Sequence, residues 1–500
     1  MPTVRAPEID RPGLQWFNVP GPLSLAELRG RLVILDFWTF CCINCLHVLP
    51  TLRRVEEAFP EEVVVIGVHS PKFPAERDPA NLAAAIARHG IRHPVVNDPE
   101  FQIWSQYAVR AWPTLVVVSP DGAVIGQHSG EPDPDRLLAA IAGLLDDFRQ
   151  EGRLEPRPLD LAPASAAAAS LPPAGRLRFP GKIKPAGHGA WAVADAGHNQ
   201  VVLFDDGGAE LARYGSGEAG FADGAAGEAR FDAPQGLVAD DEAVWVADTG
   251  NHAIRRIERE SGIVTTLAGT GRRGGVLWAP AAGTGTALAS PWDLERRGRL
   301  LFFANAGTHQ LGQLDLDSGR VARLAGAGPE GLRDSTASEA HLAQPSGLAL
   351  SPDGGTLWFA DAETSSVRAL DLASGAVTTL AGSGLFDFGH VNGPLADAQF
   401  QHCLGLAPWK DGILVADSYN AALRLIDPGR GVAEDFDGGR FTCADPVCLP
   451  LGEPAGLWVD GVWAGGAWAG GAGRVLVADT NNHRILEYRP AEGSYRTWVA

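Results

Sequence analysis

A single phrase of fourteen residues recurs six times along the chain, and nothing else in the sequence limits the possible folds as tightly. It reads WAVADAGHNQVVLF at 191–204, VWVADTGNHAIRRI at 244–257, LFFANAGTHQLGQL at 301–314, LWFADAETSSVRAL at 357–370, ILVADSYNAALRLI at 413–426 and VLVADTNNHRILEY at 475–488. The polar pivots Asp195, Asp248, Asn305, Asp361, Asp417 and Asp479 follow one another at 53, 57, 56, 56 and 62 residues. A Pro-x-Gly-Leu start precedes several copies, as at 234–237, 345–348 and 454–457, and Leu-Ala-Gly-x-Gly follows three, at 267–271, 324–328 and 380–384. Each unit reads as four short strands joined by tight turns. Such a unit cannot bury its own faces, so copies at this period stack side by side and close on themselves. The repeat therefore predicts a six-bladed β-propeller over 177–500. The first and last units each read as four strands of their own, with no clear strand exchange to latch the ring, which leaves its closure open. The 61 glycines and 36 prolines suit a chain with this many turns.

The first 148 residues have a different texture. The runs LVILDF (32–37), VVVIGV (63–68) and TLVVV (114–118) are short and almost wholly apolar, as strands buried on both faces are. Leu46, Leu49, Leu52, Val55 and Phe59 recur at three- and four-residue spacing, which marks a helix over 45–59. Further helices are expected over 81–89, 101–109 and 135–148. A short strand is expected at 95–96, and Asp121-Gly122 turns the chain from 114–118 into 123–127. Strands alternating with helices predict an α/β sheet covered on both faces. Between the two regions, 149–176 carries five prolines around an alanine run and reads as a linker. The expected fold class is thus multidomain: an α/β domain at 1–148, the linker, and an all-β six-bladed propeller.

The chemistry concentrates at Asp36-Phe37-Trp38-Thr39-Phe40-Cys41-Cys42-Ile43-Asn44-Cys45, where a buried strand gives way to a helix. A helix N-terminus presents unpaired N–H groups and the positive end of the dipole, and both favour thiolate over thiol. Two cysteines two residues apart on that turn can close a small disulfide, the first exposed and the second sheltered.

These residues resemble the thioredoxin superfamily, in particular its TlpA-like members. The match rests on the strand-borne Asp36-Phe37-Trp38, the Cys42–Cys45 spacing, Pro50 five residues after Cys45, and Trp112-Pro113-Thr114 before an apolar strand. The repeats resemble NHL repeats, most plainly at 479–485. The two halves together resemble the NHL repeat-containing protein 2 family. The thioredoxin resemblance implies that Cys42 attacks, Cys45 resolves, Asp36 assists proton removal from Cys45, and cis Pro113 with the Trp112 backbone faces an incoming substrate strand. Ile43-Asn44 between the cysteines and Cys41 before them depart from thioredoxin itself, which leaves potential and direction open.

The remaining features are read structurally. Cys41 is taken as a small side chain filling a tryptophan position, Cys403 as core, and Cys443/Cys448 as a loop bridge or idle thiols rather than a second redox pair. The Asp, Asn and His of the repeats are assigned to turn stabilisation and not to metal. Trp245, Trp292, Trp358 and Trp458 are assigned to blade packing. The formal charge of −19 divides into −6 for 1–148 (12 Lys+Arg against 18 Asp+Glu) and −13 for the rest. Nucleic acid is therefore not an expected partner. No basic start with an apolar run of signal length and no membrane-spanning stretch are evident, so a cytoplasmic location is expected, with no cofactor or metal. The function expected is thiol–disulfide exchange on a protein disulfide or small thiol, with a propeller that recruits a protein partner. The alternative is a non-enzymatic interaction scaffold whose dithiol is regulatory or vestigial.

Overall fold

The computed structural model describes residues 4–161, 175–439, 441–445, 449–460, 462–464, 467–470 and 473–500. The chain divides into two compact units, Met1–Pro172 and Pro173–Ala500. Among the described residues no helix is long and apolar enough to cross a membrane.

The first unit is one seven-stranded sheet with four helices. In chain order these are β1 (Val4–Arg5), β2 (Gln15–Phe17), β3 (Leu32–Trp38), α1 (Ile43–Ala58), β4 (Val63–His69), α2 (Pro79–Arg88), β5 (Val95–Asn97), α3 (Gln102–Gln106), β6 (Thr114–Val118), β7 (Ala123–Ser129) and α4 (Pro134–Gln150). The sheet order is β1-β7-β6-β3-β4-β5-β2, with β3 parallel to β4 and antiparallel to β6. Because β3 lies at the centre, its side chains alternate between two cores. Leu32 and Ile34 join Val48, Leu52 and Val55 of α1 and Ile141, Leu145 and Phe148 of α4. Val33, Leu35 and Phe37 face Leu25, Leu28, Ile103 and Tyr107. The helix expected over 101–109 is shorter: Phe101 and Ala108 take left-handed φ of 56° and 52°, which confines it to α3. Residues 151–161 pack on this unit, with Glu155 N donating to Gly30 O and Arg31 donating to Pro158 O.

The second unit is the six-bladed propeller. The innermost strands are Pro180–Pro185, Gly236–Ala239, Pro291–Arg297, Pro345–Leu350, Gly405–Trp409 and Pro454–Val459, each packed on the next and the last on the first. Each blade is four antiparallel strands taken in chain order. The longer final interval is explained by a hairpin, Val462–Ala464 with Ala467–Gly470, inserted before the last pivot. Blades three to five gain a fifth two-residue strand: the entering chain touches the blade's outermost edge at Ala281–Ala282, Ser335–Thr336 and Gly393–Pro394 before turning to the centre.

The pivots do more than stabilise their own turns. All six are fully buried, and each accepts a backbone N–H from the loop entering its blade. The donors are Arg178, Asp232, Ala289, Ala343, Gln401 and Gly452, at 2.7–2.9 Å. Arg255, Arg368 and Arg424 add ion pairs to Asp248, Asp361 and Asp417 at 2.7, 2.9 and 2.9 Å. Four residues beyond each pivot the backbone is left-handed, and in five of the six that residue's side chain reaches the next blade. Asn199 Oδ1, His252 Nδ1, His309 Nδ1, Ser365 Oγ and His483 Nδ1 accept the N–H groups of Ala233, Ser290, Gln344, His402 and Phe179. All five donors have left-handed φ, between 45° and 62°. The last of these bonds joins blade six to blade one. Thr480 Oγ1 donating to Pro180 O at 2.8 Å and a shared core of Ile183, Phe204, Ile485 and Trp498 complete the closure.

Candidate active site

The dithiol sits where β3 ends against α1. Cys42 is the N-cap of α1, with φ −82° and ψ 111°, and its carbonyl accepts the N–H groups of Cys45 and Leu46 at 3.0 and 3.2 Å. Its side chain makes no capping bond, and its sulfur lies at the positive end of a sixteen-residue helix. Cys42 is half-buried, whereas Cys45 is fully buried and Cys41 nearly so. All three are thiols, as is Cys403. Burial first, then the hydrogen bond and charge of Cys42 and the charge of Asp36, push the Cys45 thiol up. The arrangement thus separates a reachable sulfur from a sheltered one that needs a base.

Asp36 stands beneath them. It is fully buried on the α1 and α4 side of β3, and neither carboxylate oxygen has a hydrogen-bond partner in the protein. Burial raises its carboxyl to about 7, against a smaller opposing effect of His93. A carboxyl there changes charge near neutrality, where proton exchange with a thiol needs it to.

Trp112-Pro113 is a cis peptide bond. The register pairs Thr114 with Phe37, so the segment 112–113 continues alongside the residues leading from Trp38 into the dithiol. Trp112 is half-exposed and packs on Trp104, ring centroids 4.7 Å apart.

Glu76 is a site residue that sequence patterning did not find. It is fully buried at the end of the 71–77 segment. Its Oε1 accepts Thr39 Oγ1 at 2.6 Å and Cys41 N at 2.9 Å, and its Oε2 accepts the N–H groups of Lys72 and Phe73, both at 2.9 Å. One carboxylate therefore fixes the three residues preceding Cys42. His69 is also buried, stacked on Phe40 at 5.3 Å, and burial lowers it to about 4, so it stays neutral near pH 7.

The propeller axis holds a second polar group not found from sequence. Lys182 reaches across the channel to the carbonyls of Leu404 and Ala455, with Asp293 at 4.0 Å. Lys184 pairs with Glu295 at 3.1 Å beside a cavity of about 300 Å³ that Leu406 and Trp458 also line. Every one of these charges has a partner. Trp245 is buried in a blade core, and Trp358 and Trp458 are packed on others. Cys443 is disulfide-bonded, and Cys448 lies outside the described residues. Among the described residues no three His, Cys, Asp or Glu side chains are grouped to hold a metal.

Fold and site together define a thioredoxin-like dithiol domain joined to a β-propeller. The family model described as Thioredoxin-like matches residues 30–124. NHL repeat-containing protein 2 of Bos taurus is 36% identical over 518 residues, covering 95% of this chain and 68% of the bovine protein. The chain belongs to the NHL repeat-containing protein 2 family. Protein SUPPRESSOR OF QUENCHING 1, chloroplastic, of Arabidopsis thaliana is 37% identical over 498 residues, covering 94% of this chain and 45% of that protein. Among solved structures, Thioredoxin-like superfamily protein SPOA0173 is 32% identical and covers 28% of this chain and 96% of its own, with a TM-score of 0.27.

Proposed function

We propose that the first unit catalyses thiol–disulfide exchange and that the propeller recruits the protein that carries the substrate disulfide. The observation that carries this reading is the pairing of a half-buried Cys42 at a helix N-terminus with a fully buried Cys45 above an unpartnered carboxyl, Asp36. The Cys42 thiolate attacks a substrate disulfide, forming a mixed disulfide and expelling one substrate thiolate. Cys45 then loses its proton to Asp36 and attacks the Cys42 sulfur. The Cys42–Cys45 bond forms, the second substrate thiolate leaves, and two electrons have passed from dithiol to substrate. Trp112 and Pro113 border the approach, and the substrate strand lies along their backbone. Glu76 acts as a positioning residue, because it holds the loop that sets the direction of the Cys42 sulfur.

The test is a redox titration of the full chain in glutathione and dithiothreitol buffers, read by alkylation and mass spectrometry, with Cys42→Ser and Cys45→Ser as controls. A reversible two-electron couple between roughly −270 and −120 mV is the expected result. A pair that stays reduced throughout, with Cys42 reacting as an ordinary thiol, would refute it.

A further inference from the structure

Asp36 occupies a closed space, and a proton it accepts from Cys45 has to leave again. In-register with Asp36 on the adjacent strand is Gly67, on the same face as Val63 and Val65. A Cβ at Gly67 would lie 2.9 Å from Trp38 Nε1, 3.2 Å from Val95 Cγ2 and 3.5 Å from His93 Nε2. The absent side chain thus lets Trp38 Nε1 and His93 Nε2 pack against Gly67, the sheet neighbour of Asp36. Both Trp38 Nε1 and His93 Nε2 are buried without a hydrogen-bond partner, like the Asp36 oxygens. Four such atoms, two packed against Gly67 and two on the residue paired with it, are unusual, since a buried polar atom left alone costs about 1–3 kcal/mol. The other edge of the His93 ring points outward: Nδ1 lies 3.4 Å from Glu56 Oε2 on α1, and that carboxylate is 30% exposed. The segment carrying His93 is pinned by Asn18, whose amide donates to the carbonyls of Ile91 and His93 at 3.0 and 2.9 Å.

We infer that His93 is a proton relay, linking buried Asp36 on its Nε2 side to the half-exposed carboxylate of Glu56 on its Nδ1 side. The inference rests on the exchange reaction proposed above. When Cys45 attacks, its proton passes to Asp36. Asp36 returns to its anionic form by giving that proton to His93 Nε2, and the imidazolium releases the Nδ1 proton to Glu56 and so to water. No electrons move in the relay, and in the reverse reaction the proton travels inward. The titratable groups acting on Asp36 are Cys45 from α1 and His93 from the 89–94 segment, with Glu56 of α1 on the far edge of His93. The sheet neighbours Gly67 and Leu115 and the α4 residues Ile141, Leu145 and Phe148 carry no ionisable side chain.

The experiment is rapid-quench kinetics on the reduced full chain with excess oxidised glutathione, which separates formation of the Cys42–glutathione disulfide from closure to Cys42–Cys45. In His93→Gln, closure at pH 7 is expected to slow at least about tenfold, a fraction of the roughly 10²–10⁴-fold that general acid–base catalysis supplies, because solvent can carry part of the proton flow. Attack by Cys42 should be unchanged, and closure should become dependent on buffer concentration. Carbon-13 NMR of Asp36 gives a readout independent of turnover: its midpoint should rise when His93 is replaced. Glu56→Gln, at a half-exposed position, should slow closure in the same direction, and it serves if His93→Gln fails to fold. Closure rates and pH profiles within twofold of wild type in both variants would overturn the relay while leaving the exchange reaction standing. A wild-type chain that never closes the Cys42–Cys45 bond would overturn both.

Discussion

His483 Nδ1 accepts the backbone N–H of Phe179 at 3.1 Å, and that bond spans 304 residues to join the sixth blade to the first. It is the same bond that His252 and His309 make to Ser290 and Gln344 within the ring. Replacing His483 by Ala removes this acceptor from the Phe179 N–H and an edge-to-face ring contact at 4.4 Å. The propeller should lose about 2 kcal/mol. Urea unfolding followed by near-ultraviolet circular dichroism measures it, and a loss of well under about 0.5 kcal/mol would show that the seam is held by its shared core alone.

Blade three offers a test of charge balance. Where Arg255, Arg368 and Arg424 stand seven residues after their pivots, Gly312 follows Asn305, and a side chain there would run into the Phe303 ring. The neutral pivot is matched to the missing cation: Asn305 Nδ2 donates to Thr308 Oγ1 at 2.6 Å instead. Asn305→Asp would bury a carboxylate with no arginine, so its carboxyl titrates above the unfolded value near 4. A carboxyl raised by folding loses stability as pH climbs through that interval. The variant should therefore approach wild-type stability near pH 4 and fall behind it by pH 7, as thermal unfolding at the two pH values would record.

Asp36 obeys the same sign. Its carboxyl is held at about 7 by burial, against an ordinary value of 3.8. The neutral form is favoured in the fold, so the wild-type chain loses stability between about pH 4 and 7 and stays level above. Asp36→Asn removes that loss, and its advantage over wild type should grow across the interval to roughly 4 kcal/mol. The same variant should close the Cys42–Cys45 bond far more slowly. Denaturant melts of the first unit at pH 5 and 8, beside the kinetics, check both halves of the statement.

Glu76→Ala would strip acceptors from Thr39, Cys41, Lys72 and Phe73 together. Hydrogen bonds to a charged group contribute about 1.5–3 kcal/mol each. A loss of several kcal/mol in the first unit is expected, with faster amide exchange over 39–42. Unchanged exchange there would mean that the loop is held by its backbone.

The repeat and the dithiol were legible because both are written in local spacing. Short, almost continuous apolar runs locate β3, β4 and β6 within one or two residues, and Cys42–Cys45 announces itself in ten letters. Glu76 and His93 were not legible for the opposite reason. Each meets the site through the fold, 35 residues from Cys41 in one case and 57 from Asp36 in the other, from stretches with no periodicity. The edge strands β1 and β2 escaped notice because two or three residues are too few to show alternation. Lys182 and Lys184 sit in a strand bounded by prolines, where two lysines look like solvent-facing charge until the other blades surround them. The pivots were placed correctly and their partners were not, since a side chain that bonds the entering loop is indistinguishable in sequence from one that bonds its own turn.

The left-handed position after the fifth pivot is Ala421, which has no side-chain acceptor, and the matching residue of blade six, Glu453, is not left-handed. That interface keeps Ser418 Oγ donating to Pro454 O at 2.6 Å. The joint without the left-handed residue's bond is interior to the chain instead of at its seam, and a shared core of Trp409, Leu414, Leu457 and Val475 packs across it. The peptide that links blades five and six thus backs the one joint lacking that side-chain bridge, while the seam, which has no peptide of its own, keeps its bridge at His483.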